Sequence, residues 1–401
     1  MKLLTFIFLL ILFPAAAYCG SKVKLGVDVL IAEEFELIKG KNIGIITHYP
    51  SISSTMERDV DLILKKGGNI KAIFVPEHGL WGAETAGSDL NEEFYKEIPV
   101  FPLYKTKKEN SFSHFKECDM IIYHLQDIGT RFYTYISTLY EVLNEAKKYG
   151  KKVIILDRPN PISFLKIQGK VLEPKFSSFI GIAPIPIIHG MTVGEIASYM
   201  NKELGINSDI KIVKMRHYNR RRDYFETKNI WLNTSPNIPS VDTIFLYPGI
   251  GLVGETNLSV GIGTTRPFEF VGAPYIDPLK LEGALNLLKF SDVYFKAAYF
   301  IPAHGKYKSI RCGGVQIIIL NRLHLKPVKI GLYLISTIKK LYPDDFKWEE
   351  KNGKYQFDLA MGSDAVRKAI DEGTKTGEII KSWDKELYEF KRIRQKYLLY
   401  R

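Results

Sequence analysis

The run Ile70-Lys71-Ala72-Ile73-Phe74-Val75-Pro76-Glu77-His78-Gly79-Leu80-Trp81-Gly82 decides how the rest of the chain is read. Residues 70–74 are apolar enough for a buried strand, Pro76 ends it, and Gly79 and Gly82 open a loop. The strand therefore delivers a carboxylate and an imidazole, side by side, to the edge of a sheet. In open α/β sheets that edge, at the carboxyl ends of the strands, is where ligands bind. A single Glu-His pair more often caps a turn than does chemistry. What raises this pair is that later strands end in equally loaded sequences.

Outward from this strand runs a β-α-β rhythm. Upstream, residues 42–47 read as a strand ending in His48, and 57–66 as an amphipathic helix. Downstream, 119–125 reads as a strand ending in Gln126-Asp127 and 132–149 as a helix. A fourth strand, 152–156, ends in Asp157-Arg158-Pro159-Asn160-Pro161. Strands alternating with helices predict an α/β fold, a Rossmann-like, doubly wound parallel sheet. Residues 184–191 read as another strand, ending at His189-Gly190. Thr192, with Glu195 three residues on, is a capping box, which gives Glu195 a structural role.

Gly249, Gly251 and Gly254 spell Gly-x-Gly-x-x-Gly after a strand-like run at 243–247. The residues that follow, Glu255-Thr256-Asn257-Leu258-Ser259, do not open the helix that a dinucleotide fingerprint needs. The segment reads as a loop, and neither NAD nor FAD is expected. Residues 255–269 read as a long functional loop. Near 273 the texture changes: 279–288 and 326–342 read as helices, 293–300 and 314–320 as strands, and 378–400 as a basic, aromatic helix. The expected division is a Rossmann-like catalytic domain at 21–272 and a smaller α+β C-terminal domain at 273–401.

Residues 1–20 read as a secretory signal peptide. Lys2 gives a positive start, 3–13 an apolar core and Ala15-Ala16-Ala17 a small-residue cleavage site. The apolar run falls short of the ~20 residues that span a bilayer. An exported protein, periplasmic or extracellular, is expected. A lipid anchor at Cys19 is the second reading, because Tyr18 suits that signal poorly. Of the 401 residues 46% are hydrophobic and 25% charged, ordinary for a globular protein. The net charge of +12 is scattered and comes with no nucleic-acid-binding motif, so no nucleic-acid partner is expected. An anionic wall glycan suits the charge equally well. The three cysteines, Cys19, Cys118 and Cys312, have no metal spacing and allow at most one disulfide in the mature chain, Cys118 to Cys312.

Seven ordered segments together resemble the exo-β-N-acetylmuramidase family of the NamZ type. They are Pro76-Glu77-His78-Gly79, Gln126-Asp127-Ile128-Gly129-Thr130-Arg131-Phe132-Tyr133-Thr134-Tyr135, Asp157-Arg158-Pro159-Asn160-Pro161, His189-Gly190-Met191-Thr192, Ser235-Pro236-Asn237-Ile238-Pro239, Gly254-Glu255-Thr256-Asn257-Leu258-Ser259 and Gly263-Thr264-Thr265-Arg266-Pro267-Phe268-Glu269. One turn departs from the family's usual Thr-Asn-Pro-Thr-Gly-like form: here it is Thr47-His48-Tyr49-Pro50-Ser51. The resemblance implies removal of terminal N-acetylmuramic acid from the non-reducing end of peptidoglycan fragments, as in cell-wall turnover. It also implies an active site between two domains, with no metal or organic cofactor.

Glycoside hydrolysis needs a general acid at the leaving oxygen and a second group at the oxocarbenium-like centre. An acid that keeps its proton near neutrality belongs in an apolar pocket. Glu77, flanked by Val75, Leu80 and Trp81, fits best, with His78 to orient it or bond the sugar. Asp127 leads for the second role, against an ordinary duty as a cap for the helix starting near Arg131. Glu269 follows, with Arg266 as a natural ion-pair partner. Substrate assistance by the 2-acetamido group is a third route. Muramic acid carries a lactyl carboxylate, which calls for a cation; Arg131, Arg158 and Arg266 are candidates. Gln126, Asn160, His189, Asn237 and Asn257 are candidate contacts for hydroxyl or acetamido groups, each equally able to stabilise a turn. Tyr133 and Tyr135 offer a stacking face, with core packing as the plainer role. Two rivals are a non-catalytic wall-glycan-binding protein and a cell-wall esterase or amidase. The second lacks a Gly-x-Ser-x-Gly elbow.

Overall fold

The computed structural model of the protein describes residues 21–85, 87–88, 90, 93–104 and 108–400. The leader read at 1–20, with Cys19, lies outside them. The large sheet contains β1 (Asn42–Ile46), β2 (Asn69–Val75), β3 (Glu93–Tyr95), β4 (Ile98–Pro102), β5 (Met120–Tyr123), β6 (Lys152–Leu156) and β7 (Ile210–Val213). Their order is β3-β4-β2-β1-β5-β6-β7. β3 pairs antiparallel with β4 at one edge, and every other pairing is parallel. The chain starts in the middle at β1, runs out through β2, and returns to β5 on the other side. This is the doubly wound arrangement expected, with its switch point between β1 and β5.

The central strands read as apolar runs because a parallel sheet is covered on both faces. All four side chains of β5, Met-Ile-Ile-Tyr, are buried. Helix Tyr135–Lys148 and helix Val193–Glu203 pack against this sheet's core, the latter starting at the capping box of Thr192 and Glu195. Strands β3, β4 and β7 were not apparent in the sequence; in β4, Pro99 and Pro102 argue against a ladder strand. The run 184–191 is buried irregular chain, not a strand. Pro184 and Pro186 have no N–H to give a ladder, and Ile188 makes isolated bridges to Thr130 and Gln168.

The largest correction concerns the glycine-rich segment. Val241–Gly254 is a helix, not a strand followed by a loop. It is apolar all round because it is buried all round. A Cβ on Gly249 would lie 1.8 Å from the Pro327 carbonyl oxygen, and one on Gly331 would lie 2.2 Å from the Gly249 oxygen. The glycines let this helix touch helix Pro327–Leu341 backbone to backbone.

The C-terminal part holds a smaller antiparallel sheet of β8 (Phe270–Ala273), β9 (Val293–Phe300) and β10 (Cys312–Ile319), in the order β8-β10-β9. Position 273, where the texture changes in sequence, is the last residue of β8. One hydrophobic core runs from Ile46 and Phe74 of the large sheet through Phe132 and Phe245 to Phe295 and Ile335. The final segment is two helices, Thr376–Lys381 and Asp384–Arg394, followed by a tail that returns to the first domain. There Tyr400 donates to Asp157 Oδ2 at 2.7 Å, and the Leu399 N–H donates to Glu195 Oε1 at 2.6 Å. Cys118 and Cys312 are buried free thiols. Among the described residues no helix is long and apolar enough to cross a membrane.

Candidate active site

A cavity of about 440 Å³ opens beyond the end of β2, walled by both parts of the chain. From the large-sheet side come Glu77, His78, Phe132, Tyr133 and Thr134. From the other side come Tyr247, Glu255, Leu258 and Lys306, with Ser235 and Asn237 between.

Glu77 is buried. Its Oε1 accepts the Gly87 N–H at 2.9 Å, and its Oε2 accepts the Thr134 hydroxyl at 3.1 Å. Thr134 is the N-cap of helix Tyr135–Lys148, so the carboxylate sits at the N-terminus of that helix. Tyr104 is also hydrogen bonded to Glu77; burial first, then the nearby carboxylate, push its phenol up. His78 is held by Nδ1 against the Glu84 carbonyl at 2.7 Å. Trp81 is not the apolar wall expected for Glu77. It is half exposed, with the Arg58 guanidinium 4.1 Å above its ring.

Glu255, which sequence reading left in a loop, is the second carboxylate of the cavity. It caps the C-terminus of helix Val241–Gly254. Burial raises its pKa from 4.5 to about 7, with Lys306 pulling the other way and Glu349 reinforcing the rise. The negative end of the helix acts in the same direction as burial. The signal for it is the acidic residue directly after the glycines, which marks a helix end only once those glycines are seen to belong to a helix.

The other expected residues are distributed more widely. Asp127 does not line the cavity. Its Oδ2 accepts the Gly129 N–H at 2.6 Å, and its buried Oδ1 has no partner among the described residues. Burial raises its pKa to about 7, against the pull of the Gly129 and Ile128 amides. Arg131 is fully buried and donates to three carbonyls, Lys170 (2.6 Å), Ile185 (2.8 Å) and Ala360 (2.7 Å). It ties the two parts of the chain together, and burial lowers its pKa to about 9.

Arg158 and Gln126 belong to a buried polar network that fills the switch-point crevice. Arg158 donates from Nε to Gln126 Oε1 at 2.8 Å and from Nη1 to His124 Nε2 at 2.9 Å. Because arginine only donates, His124 Nε2 must accept; its Nδ1–H then goes to Asp59 Oδ2 at 2.9 Å. Protein groups thus occupy the place where many such sheets bind a ligand. Asn160 spans Met191 O and the Ile162 N–H, and His189 Nδ1 accepts the Met191 N–H, with burial lowering its pKa to about 3. Asn257 is engaged by Asp345 O, the Lys347 N–H and the Tyr275 hydroxyl. Arg266 and Glu269 pair with each other at 2.7 Å and line a different surface depression. Asn237 and Tyr133 do line the cavity, whereas Tyr135 is buried, donating to Thr234 O at 2.8 Å. Lys306 is the cavity's Lys or Arg among the described residues.

A doubly wound sheet joined to a smaller α+β unit, with two glutamates facing one sugar-sized cavity from opposite helix ends, is the equipment of a glycosidase. Comparison with known proteins gives the family. Residues 43–242 match the N-terminal domain of the exo-beta-N-acetylmuramidase NamZ and residues 245–400 its C-terminal domain. The chain belongs to this family and is a glycosidase of it. It is 41% identical over 383 residues to the peptidoglycan beta-N-acetylmuramidase NamZ of Bacillus subtilis (strain 168), covering 94% of this chain and 92% of that protein. Crystal structures of two DUF1343 family proteins from Bacteroides fragilis NCTC 9343 superpose with TM-scores of 0.87 and 0.75. They are 32% and 29% identical to this chain, and each match covers 95% of this chain and 99% of its partner.

Proposed function

We propose that this enzyme releases terminal β-linked N-acetylmuramic acid from the non-reducing end of peptidoglycan fragments, outside the cytoplasm, in cell-wall turnover. The observation that carries the reading is the pairing of Glu77 and Glu255 in one cavity, at the N-terminus of one helix and the C-terminus of another. Near neutrality Glu255 still holds a proton that it can deliver to the leaving oxygen. Glu77, facing donors and a helix N-terminus, stabilises the positive charge growing at the anomeric carbon or orients the 2-acetamido group. This division turns round the sequence expectation, which gave the proton to Glu77. Tyr133 and Tyr247 offer aromatic surface to a sugar ring. Export rests on the leader-like residues 1–20 and on the extracytoplasmic nature of the substrate.

The test uses two defined disaccharides. MurNAc-β-GlcNAc should yield free N-acetylmuramic acid, and GlcNAc-β-MurNAc should be left intact. Cleavage of both would replace the reading with a general hexosaminidase. Cleavage of neither by folded protein would leave the binding-protein alternative.

A further inference from the structure

Lys306 comes from the loop between β9 and β10, far in sequence from Glu255, yet every partner of its ammonium group surrounds that residue. Its Nζ donates to the Gly254 carbonyl at 2.7 Å and to the Thr256 carbonyl, the oxygens immediately before and after Glu255. Its third contact is the Glu349 carboxylate. The Glu349 N–H in turn donates to the Glu255 carbonyl at 3.1 Å. Consecutive backbone carbonyls at the end of a helix otherwise lack partners. Here one ammonium and one amide from the C-terminal part satisfy three in a row, 254, 255 and 256.

We propose that Lys306 is a positioning residue for the reaction, holding Glu255 at the cavity wall through its flanking carbonyls while its charge sets how readily that carboxyl gives up its proton. The proposal rests on the role given to Glu255 above. Two hydrogen bonds and the ion pair with Glu349 engage the ammonium on the Glu255 side, so its action passes through Glu255. The charged and titratable groups around Glu255 are few. Lys306 and Glu349 face it from the C-terminal part and the Tyr247 phenol from its own helix, while Glu77 and His78 stand on the other side of the cavity. Lys306 favours the ionised carboxylate and Glu349 disfavours it. Removing one or the other must therefore move the titration in opposite directions.

The experiment is the pH profile of kcat/KM on a chromogenic β-N-acetylmuramide for the wild type and for the Lys306→Met, Lys306→Arg, Glu349→Gln and Glu255→Gln variants. Lys306→Met should move the limb near pH 7 upward by about one unit and lower kcat roughly tenfold, with little change in KM. Lys306→Arg, which keeps the charge, should return the limb most of the way. Glu349→Gln should move it downward. A lysine that merely holds a loop would lower the melting temperature and leave the limb where it is, and that result overturns the proposal. A limb that survives in Glu255→Gln would instead overturn the role given to Glu255. A limb lost in Glu255→Gln but unmoved in Lys306→Met would overturn the Lys306 proposal alone.

Discussion

Replacing Asp127 with Asn should remove a defined part of the pH dependence of stability. Burial raises Asp127 from 3.8 to about 7 in the folded protein. The folded state therefore holds this proton more tightly than the unfolded chain does. The stability that goes with the bound proton is complete below about pH 4 and is lost as pH rises through 7. Each pH unit inside that window costs about 1.4 kcal/mol, so the stretch from pH 5 to 8 costs about 3 kcal/mol. Asn carries no charge at any pH in this range, and its Oδ1 can keep the bond from the Gly129 N–H. Its amide nitrogen replaces a buried oxygen that had no partner, an offset that does not vary with pH. The assay is urea denaturation of both proteins at pH 5, 6, 7 and 8. The difference in unfolding free energy should swing by about 3 kcal/mol in favour of Asn as pH rises. Parallel curves would refute the reasoning and show that Asp127 is ionised and stabilised in place. The folded variant should still turn over substrate, because Asp127 does not line the cavity.

Arg131→Met should cost about 3–5 kcal/mol in chemical denaturation, because three carbonyls, two of them fully buried, lose charge-assisted donors, while KM of the folded fraction stays unchanged. A raised KM at unchanged stability would return this guanidinium to the substrate. Gly249→Ala should cost about 1–3 kcal/mol, since its Cβ would have to displace the Pro327 carbonyl. A melting temperature equal to wild type would mean the two helices do not meet as described. Tyr400→Phe leaves Asp157 without its phenolic donor and should cost about 1–3 kcal/mol by urea denaturation. No loss would show that the C-terminal tail is not fastened there.

Much of the large sheet was legible because parallel strands buried on both faces must be apolar throughout. β1, β2, β5 and β6 are such runs, and Glu77 was readable as the charged residue where one of them stops. The helix Val241–Gly254 was not legible. Its glycines resemble a loop, and only their distance to Pro327 and Gly331 reveals a close helix crossing. That misreading also hid Glu255, whose importance comes from capping the helix. The arginines show the opposite limit. Arg131 and Arg158 sit beside promising strand ends, and residue type with position cannot distinguish a guanidinium facing solvent from one held by protein acceptors. Asp127 was selected on the same grounds and turned inward for the same reason. What separates these residues from Glu77 is which side of the strand end is filled by protein, and long-range packing decides that.

The most direct measurement is turnover of a chromogenic β-N-acetylmuramide and the matching β-N-acetylglucosaminide by wild type and Glu77→Gln, with binding of N-acetylmuramic acid followed by calorimetry. The account predicts turnover of the muramide alone, a loss of about 10²–10³ in kcat for the variant, and retained binding. Wild-type protein that is folded and inert, or a Glu77→Gln variant as fast as wild type, would contradict it.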